Sequence, residues 1–227
     1  MTRYVFASRT GWPIDEFLRR RARLPGEWVT ITDKSDLNVE FLKAFAPRYV
    51  FFPHWSSTVP KTVLDAHECI CFHMTDVPFG RGGSPLQNLI SRSFKETKLT
   101  ALRMTEQFDA GPVYTKRPLD LSGSAQDIFR RAASTALDII EWMVANEPSA
   151  VEQHGEPTVF PRRKPGQSAI PLNGTKESLY DHIRMLDAEG YPHAFANVGE
   201  WHMEFTDASM DGDTLAAKVI ISKSPKA

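Results

Sequence analysis

Four short apolar runs near the start of the chain constrain its fold more than any other sequence feature. They are RYVFAS (3–8), EWVTIT (27–32), RYVFFP (48–53) and CICFH (69–73), and they are rich in β-branched or aromatic residues. Continuous apolar runs of this length are typical of parallel strands that are buried on both faces. Segments with helical spacing of apolar residues lie between them, so the pattern predicts an α/β fold.

The predicted helices alternate with these strands and continue beyond them. Three helices are predicted over 13–22, 37–46 and 59–67, a fourth begins near Ser84, and a further strand is predicted over 98–105. The longest helix follows the capping-box sequence SAQD at 124–127. Its apolar stripe, which is typical of a helix that packs on a sheet, consists of Ile128, Ala132, Ala136, Ile139, Ile140 and Met143.

The composition changes after Pro148, where prolines become frequent and apolar runs become rare. We predict a catalytic domain over 1–147, a linker over 148–175 and a small C-terminal appendage over 176–227. The appendage combines a helix over 176–188 with a β-hairpin at the MDGD turn. The predicted fold is therefore a Rossmann-like, mostly parallel sheet with flanking helices, plus a small C-terminal α+β appendage.

The charge balance bears on the partners of the chain. There are 27 basic and 28 acidic side chains among 227 residues, so the sequence does not predict broad attraction to nucleic acid or to an anionic membrane. No run reaches the roughly 18 apolar residues of a membrane span. Cys69 and Cys71 are the two cysteines, and they are predicted to be reduced thiols in a cytoplasmic protein.

His54 and His73 both stand where a predicted strand ends. Ligands of open α/β sheets bind beyond the carboxyl ends of the strands, and histidine exchanges protons near neutral pH. The turn DVPFGRGGSP follows His73, and its glycines allow a close approach of backbone to a ligand. Alternating His67, Cys69, Cys71 and His73 lie on one strand and are too far apart for a tetrahedral metal site, so no metal is predicted.

Two segments together resemble the folate-dependent formyltransferases, a family that includes sugar N-formyltransferases and methionyl-tRNA formyltransferase. They are FHMTDVPFGRGGSPLQ (72–87) and TEQFDAGPVY (105–114), and FFPHWSSTVPKTVLD (51–65) and IRMLDAEGYPHAF (183–195) are also similar to segments of the family. The positions that match the motifs of the family are His73, Pro78, Arg81, Gly82, Pro85, Gln87, Asp109 and Gly111.

The resemblance implies that the chain transfers a formyl group from 10-formyltetrahydrofolate to an amine. It implies that His73 is catalytic and is positioned by Asp109, with Asp109 as the base in a second plausible role. The residues that it implies for binding the folate cosubstrate are Trp55, Arg81, Gly82, Thr105, Glu106 and Gln107. Those implied for binding the acceptor are His54, Gln87 and Asn88.

One position departs from the family. The catalytic asparagine of the family lies two residues before the histidine, where this chain has Cys71. A thiol donates a hydrogen bond weakly, so it polarises a formyl oxygen poorly. Asn88, Gln87 and His54 are alternative donors, and a second interpretation is that Cys71 is an inert strand residue.

Three functions are compatible with the resemblance. The favoured acceptor is the amino group of a dTDP- or UDP-linked sugar. We predict no nucleic-acid partner and no membrane partner, and the sequence leaves open whether the chain forms a homodimer. The alternative acceptors are a hydroxyornithine-type or peptide amine and, less favoured because of the short tail and the near-zero net charge, methionyl-tRNA. The third interpretation, a folate-binding relative with impaired catalysis, is based on Cys71.

Overall fold

A computed structural model of the chain describes residues 1–9 and 11–224. In chain order its strands are β1 (Arg3–Ser8), β2 (Glu27–Ile31), β3 (Tyr49–His54), β4 (Cys69–His73), β5 (Arg81–Gly82), β6 (Glu96–Arg103), β7 (Val113–Asp120), β8 (Val159–Phe160), β9 (Ala194–Val198), β10 (Trp201–Asp211) and β11 (Thr214–Lys223). Its α-helices are α1 (Trp12–Arg20), α2 (Val39–Phe45), α3 (Lys61–Ala66), α4 (Pro85–Ile90), α5 (Ala125–Asn146) and α6 (Lys176–Arg184), with 3-10 turns at Arg21–Arg23 and Pro165–Ser168.

The main sheet has the strand order β2-β1-β3-β4-β6-β7. The pairs β1–β2, β1–β3 and β3–β4 are parallel, and β6 pairs with β4 in the antiparallel direction. This confirms the predicted Rossmann-like, mostly parallel sheet with flanking helices. The carboxyl ends of β1, β3 and β4 consequently meet at one edge of the sheet.

The inner strands β1, β3 and β4 are mostly apolar because both faces of the sheet are covered there, whereas the edge strand β2 exposes Glu27 and Thr30. One face packs with helices α2 and α3, in a cluster that contains Val5, Ala7, Ile31, Leu42, Val50, Phe52, Val63 and Cys69. The alternate residues of the same strands form an aromatic group with Phe17 of α1, which contains Tyr4, Phe6, Trp28, Tyr49 and Phe51. Successive side chains of a strand point to opposite faces, so burial of both faces favours apolar residues at consecutive positions of the inner strands.

The chain divides into two compact units, each made of separate stretches of sequence. The first contains residues 1–82, 97–119 and 130–159, and the second contains residues 83–96, 120–129 and 160–227. These bounds describe packing and differ from the predicted boundaries at 147 and 175. The assignment of the catalytic domain to 1–147, of the linker to 148–175 and of the appendage to 176–227 stays a prediction.

The second unit holds the antiparallel sheet β11-β10-β9 and the helix α6. The predicted hairpin is confirmed, since β10 and β11 pair from Asp211 and Thr214 outward. Helix α6 is shorter than its predicted range, and Arg184 at its end is buried and bonded to Asp181 and to the backbone oxygens of two residues, Leu121 and Gly123. In the part of the chain that the structure describes, no helix has the length and apolar character needed to cross a membrane.

Candidate active site

The two candidate histidines lie at the ends of neighbouring parallel strands. His54 is the last residue of β3 and His73 is the last residue of β4, and these strands pair directly. The side chain of His73 is buried, with only 9% of its surface exposed. His73 therefore lies, as predicted, at the edge of the sheet where ligands of α/β folds bind.

The imidazole of His73 is held from two sides. Its Nε2 lies 2.8 Å from the backbone oxygen of Gly80. A carbonyl oxygen only accepts hydrogen bonds, so the ring nitrogen that faces it carries the proton. On the other side Nδ1 lies 3.5 Å from Oδ1 of Asp109. The turn after β4 thus fixes the ring and turns Nδ1 toward a carboxylate.

Asp109 is held by the same turn. The backbone N–H of Gly82 donates to Oδ2 of Asp109 at 2.9 Å, and the other carboxylate oxygen, Oδ1, faces Nδ1 of His73. The backbone of Asp109 has φ 55°, in the left-handed region that few residues other than glycine adopt without cost. A residue keeps such an unfavourable backbone conformation where contacts with its surroundings hold it there.

Gly111 allows the loop of Asp109 to pass close to the end of β6. A Cβ atom at this position would lie 2.0 Å from the backbone oxygen of Arg103, which is far inside contact distance. Only a glycine fits there without displacement of backbone. The Asp-x-Gly spacing of the sequence thus has two physical causes, a carboxylate that faces His73 and a glycine that permits the approach.

The glycine turn and the Asp109 loop also contain five of the six residues predicted to bind the folate cosubstrate, all except Trp55. Gly82 and Arg81 lie in the turn, and Gly82 contacts Asp109 directly. Thr105, Glu106 and Gln107 are exposed on the loop that leads to Asp109. In this loop the Thr105 hydroxyl donates to the Gln107 backbone oxygen at 3.0 Å, and Glu106 forms an ion pair with Lys61. Folate binding by these residues stays a prediction.

Trp55 lies just beyond β3 in the first unit. Its ring meets Phe52 edge-on with centroids 5.6 Å apart, and it packs against the cluster that contains Cys69. Its Nε1 is buried and has no hydrogen-bond partner among residues 1–9 and 11–224. The ring is half-buried, and its predicted stacking on folate stays a prediction.

His54 differs from His73 in its surroundings. Burial, with a smaller contribution from the positive charge of Arg9, lowers the pKa of the His54 imidazole below its usual value. The ring is therefore neutral near pH 7, and its edge contact is with Trp12, with centroids 5.9 Å apart. A neutral ring can donate one hydrogen bond, but acceptor binding by His54 stays a prediction.

Gln87 and Asn88 lie on α4 in the second unit, where their amides are already engaged. Gln87 donates to the Met185 oxygen at 3.1 Å. Asn88 Nδ2 lies within 3.0–3.1 Å of the backbone oxygens of Gly83, Ser84 and Pro161. These bonds hold local backbone and leave the Asn88 amide little capacity to replace the missing asparagine. Acceptor binding by the two residues stays a prediction.

Cys71 occupies the position of that asparagine, in the middle of β4. Burial, and secondly the negative charge of Asp109, raise the pKa of the Cys71 thiol far above its usual value. Burial also raises the pKa of Cys69 to about 12. Both cysteines are free thiols, as predicted, and both remain protonated near neutral pH. A neutral S–H is a weak donor, so the structure gives Cys71 no clear part in polarising a carbonyl.

We expect both thiols to react slowly with iodoacetamide in the folded protein. The thiolate is the nucleophile, and a raised pKa lowers its fraction, so alkylation at about pH 8 should be at least about 100-fold slower than in the urea-unfolded chain. Mass spectrometry of the two peptides measures this, and the Cys71→Ser variant isolates Cys69. Alkylation of Cys71 at the rate of the unfolded chain would contradict the environment described for β4.

Two parts of the site could not be predicted from the sequence pattern. The first is the backbone oxygen of Gly80, which contacts His73 but belongs to no reactive side chain that a sequence motif could mark. Gln153 lies in the proline-rich segment predicted to be a linker, and it bonds to both the Asp109 loop and Arg81. A single glutamine in such a segment carries no local signal. Among the described residues there is also no group of three or more His, Cys, Asp or Glu side chains arranged to hold a metal ion.

A strand-end imidazole that faces a carboxylate, beside a glycine turn of an α/β sheet, is an arrangement typical of enzyme sites that transfer protons. Known proteins resemble the whole chain. The structure of the methionyl-tRNA formyltransferase from Clostridium thermocellum is 41% identical and has a TM-score of 0.95, and the match covers 99% of this chain and 100% of that chain. A family model described as methionyl-tRNA formyltransferase, C-terminal domain, matches residues 165–222.

More distant relatives extend the comparison. The methionyl-tRNA formyltransferase of Bacillus subtilis is 28% identical over 184 residues, which is 77% of this chain and 56% of that protein. HypX from Aquifex aeolicus, in complex with tetrahydrofolic acid, has a TM-score of 0.73 at 17% identity over 91% of this chain and 37% of that chain. The chain belongs to the formyltransferase family, and it spans little more than half the length of the Bacillus relative.

These relatives correct the prediction about partners. The prediction was a dTDP- or UDP-linked amino sugar as acceptor and no nucleic-acid partner, but the relatives named above from Clostridium thermocellum and Bacillus subtilis carry a tRNA in their names. That prediction was wrong. Its physical basis was the net charge of the whole chain, which says little about a local basic surface, and the length of the tail.

Proposed function

We propose that the chain transfers a formyl group from 10-formyltetrahydrofolate to a primary amine. The observation that carries the proposal is the placement of His73 between the Gly80 oxygen and the Asp109 carboxylate at the end of β4. Membership of the formyltransferase family supports the reaction, and the folate complex of HypX, which shares the fold, supports the cosubstrate.

The reaction makes one bond, breaks another and moves a proton. The amine nitrogen forms a bond to the formyl carbon, the bond between that carbon and the folate nitrogen breaks, and the proton of the amine ends on the folate nitrogen. We assign His73 and Asp109 to this proton transfer, because Nδ1 and Oδ1 face each other at 3.5 Å. The N–H on the other ring nitrogen donates to Gly80, so the ring stays oriented while Nδ1 gains or loses its proton.

We propose methionyl-tRNA as the source of the amine. The names of the relatives support this acceptor, as does the match of residues 165–222 to a domain of such enzymes. The sequence RRK at 162–164 precedes that segment, and Arg162 and Lys164 are exposed. Such a local cluster can contact phosphate although the chain as a whole has a net charge of −1.

A formyl-transfer assay with the purified chain tests the acceptor. We expect formylated methionine after incubation with 10-formyltetrahydrofolate and methionyl-tRNA, and no product with uncharged tRNA. Turnover should fall as salt rises, because phosphate contacts release counterions. Product with an amino-sugar nucleotide or a peptide amine, and none with methionyl-tRNA, would overturn the acceptor and keep the reaction; no product with any amine would overturn the reaction.

A further inference from the structure

The segment that follows α5 is hydrogen-bonded at two points to other parts of the first unit. Val113 and Val151 exchange two backbone hydrogen bonds, of 2.7 and 2.9 Å. Seven residues later the Thr158 N–H donates to the Pro78 oxygen at 3.1 Å, and the Thr158 oxygen accepts from the Arg81 N–H at 2.9 Å. The backbone between these points therefore runs past both the Asp109 loop and the turn after β4.

Gln153 lies between the two points and uses both ends of its amide. Its Nε2 donates to the backbone oxygens of Asp109 at 2.9 Å and Gly111 at 2.7 Å. Its Oε1 accepts from Nη2 of Arg81 at 2.8 Å and from Nε at 3.2 Å. The opposite orientation of the amide would place oxygen against two carbonyl oxygens and nitrogen against a guanidinium, so the partners determine one orientation.

These four bonds join the two backbone segments that hold the reacting pair. The Asp109 loop supplies the carboxylate, and the turn supplies the Gly80 oxygen for His73 and the Gly82 N–H for Asp109. The loop also bears a left-handed backbone at Asp109, which is intrinsically unfavourable and needs external support. Gln153 supplies support at Asp109 itself and two residues further on.

We propose that Gln153 is a positioning residue for the Asp109–His73 pair. It contacts neither reacting atom in the proposed reaction. Its effect is on geometry, because two donated bonds fix the loop and one accepting atom ties that loop to the turn. The expected effect on kcat rests on the proposed formyl transfer. The expected effect on the structure of the loop and the turn rests on the hydrogen bonds alone.

Three variants test the proposal. Gln153→Leu keeps the size of the side chain and removes all four bonds. Gln153→Glu keeps an acceptor for Arg81 but replaces the donor to Asp109 and Gly111 with an oxygen. Glu152→Gln is the control, since the neighbouring side chain is exposed and the change keeps its size. We expect kcat to fall about 10- to 100-fold in both Gln153 variants, with KM for the folate within about twofold and the control unchanged.

A second measurement does not depend on turnover. Amide hydrogen exchange of Gly82, followed by NMR, reports the bond from its N–H to Asp109. We expect exchange to quicken about tenfold in Gln153→Leu and to stay unchanged in Glu152→Gln. If the wild-type chain is inactive with every amine, the proposed function is wrong. The amide hydrogen exchange of Gly82 then tests by itself whether Gln153 holds the loop and the turn in place. Unchanged exchange at Gly82, or wild-type kcat in an active Gln153→Leu enzyme, would overturn the proposal.

Discussion

Asp109→Asn is expected to lower kcat for formyl transfer by about 10³, the middle of the range for loss of general acid–base catalysis. The substitution keeps the shape of the side chain and an oxygen that accepts from the Gly82 N–H. It removes the negative charge, and a carboxamide does not take up the proton of the His73 imidazole. Single-turnover formylation of the acceptor measures the chemical step without the contribution of product release.

The control for this variant is Asp138→Asn, which removes a carboxylate that pairs with Arg20 on an exposed surface. It should retain wild-type kcat. The melting temperature of Asp109→Asn should stay close to that of the wild type because the hydrogen bond to Gly82 remains. Wild-type turnover in a folded Asp109→Asn enzyme would show that the carboxylate has no part in proton transfer, and the roles proposed for the pair would then be wrong.

Gly111→Ala should damage both stability and turnover. The added Cβ would lie 2.0 Å from the Arg103 oxygen, which is backbone and does not move as a side-chain tip would. Overpacking of this kind costs about 2–3 kcal/mol. For a chain of this size that lowers Tm by about 4–12 °C. Displacement of the loop also moves Asp109 away from His73, so kcat should fall about 100-fold. Thermal unfolding and single-turnover kinetics measure the two effects.

Gly166→Ala is the matched control, because a Cβ at that position meets no atom within 4 Å. It should leave Tm and kcat unchanged. If Gly111→Ala melts and turns over like the wild type, the loop tolerates displacement, and the close approach described for Gly111 does not determine the position of Asp109.

The inner strands β1, β3 and β4 were predictable because burial on both faces requires the continuous apolar runs that their sequences show. β1 has the predicted bounds, β2 ends one residue earlier than predicted, β3 is shifted by one residue at both ends, and β4 agrees at both ends. β7 was not predicted. It lies at the edge of the main sheet, where partial exposure allows polar residues and Pro118, and its sequence VYTKRPLD therefore lacks the apolar continuity of the inner strands.

The site was predictable where a motif of side chains marks it. His73 and Asp109 come together as expected, since each belongs to a short stretch with a distinctive sequence. Gln153 could not be found in this way, because its role arises from folding of a proline-rich segment against two other loops. Its four bonds are made to a side chain and backbone atoms 42 to 72 residues away in sequence, and no local pattern encodes such contacts.

The stretch from Val151 to Thr158 also limits how this enzyme can be recombined with its relatives. The sequence composition changes near residue 147, which suggests a junction for chimeras at that point. In such a chimera, Val151 and Gln153 would come from one parent, and the Asp109 loop and the turn after β4 would come from the other. Crossovers after Val159, where the first unit ends, keep these partners together. Exchange of acceptor specificity between family members should therefore succeed more often with the later junction.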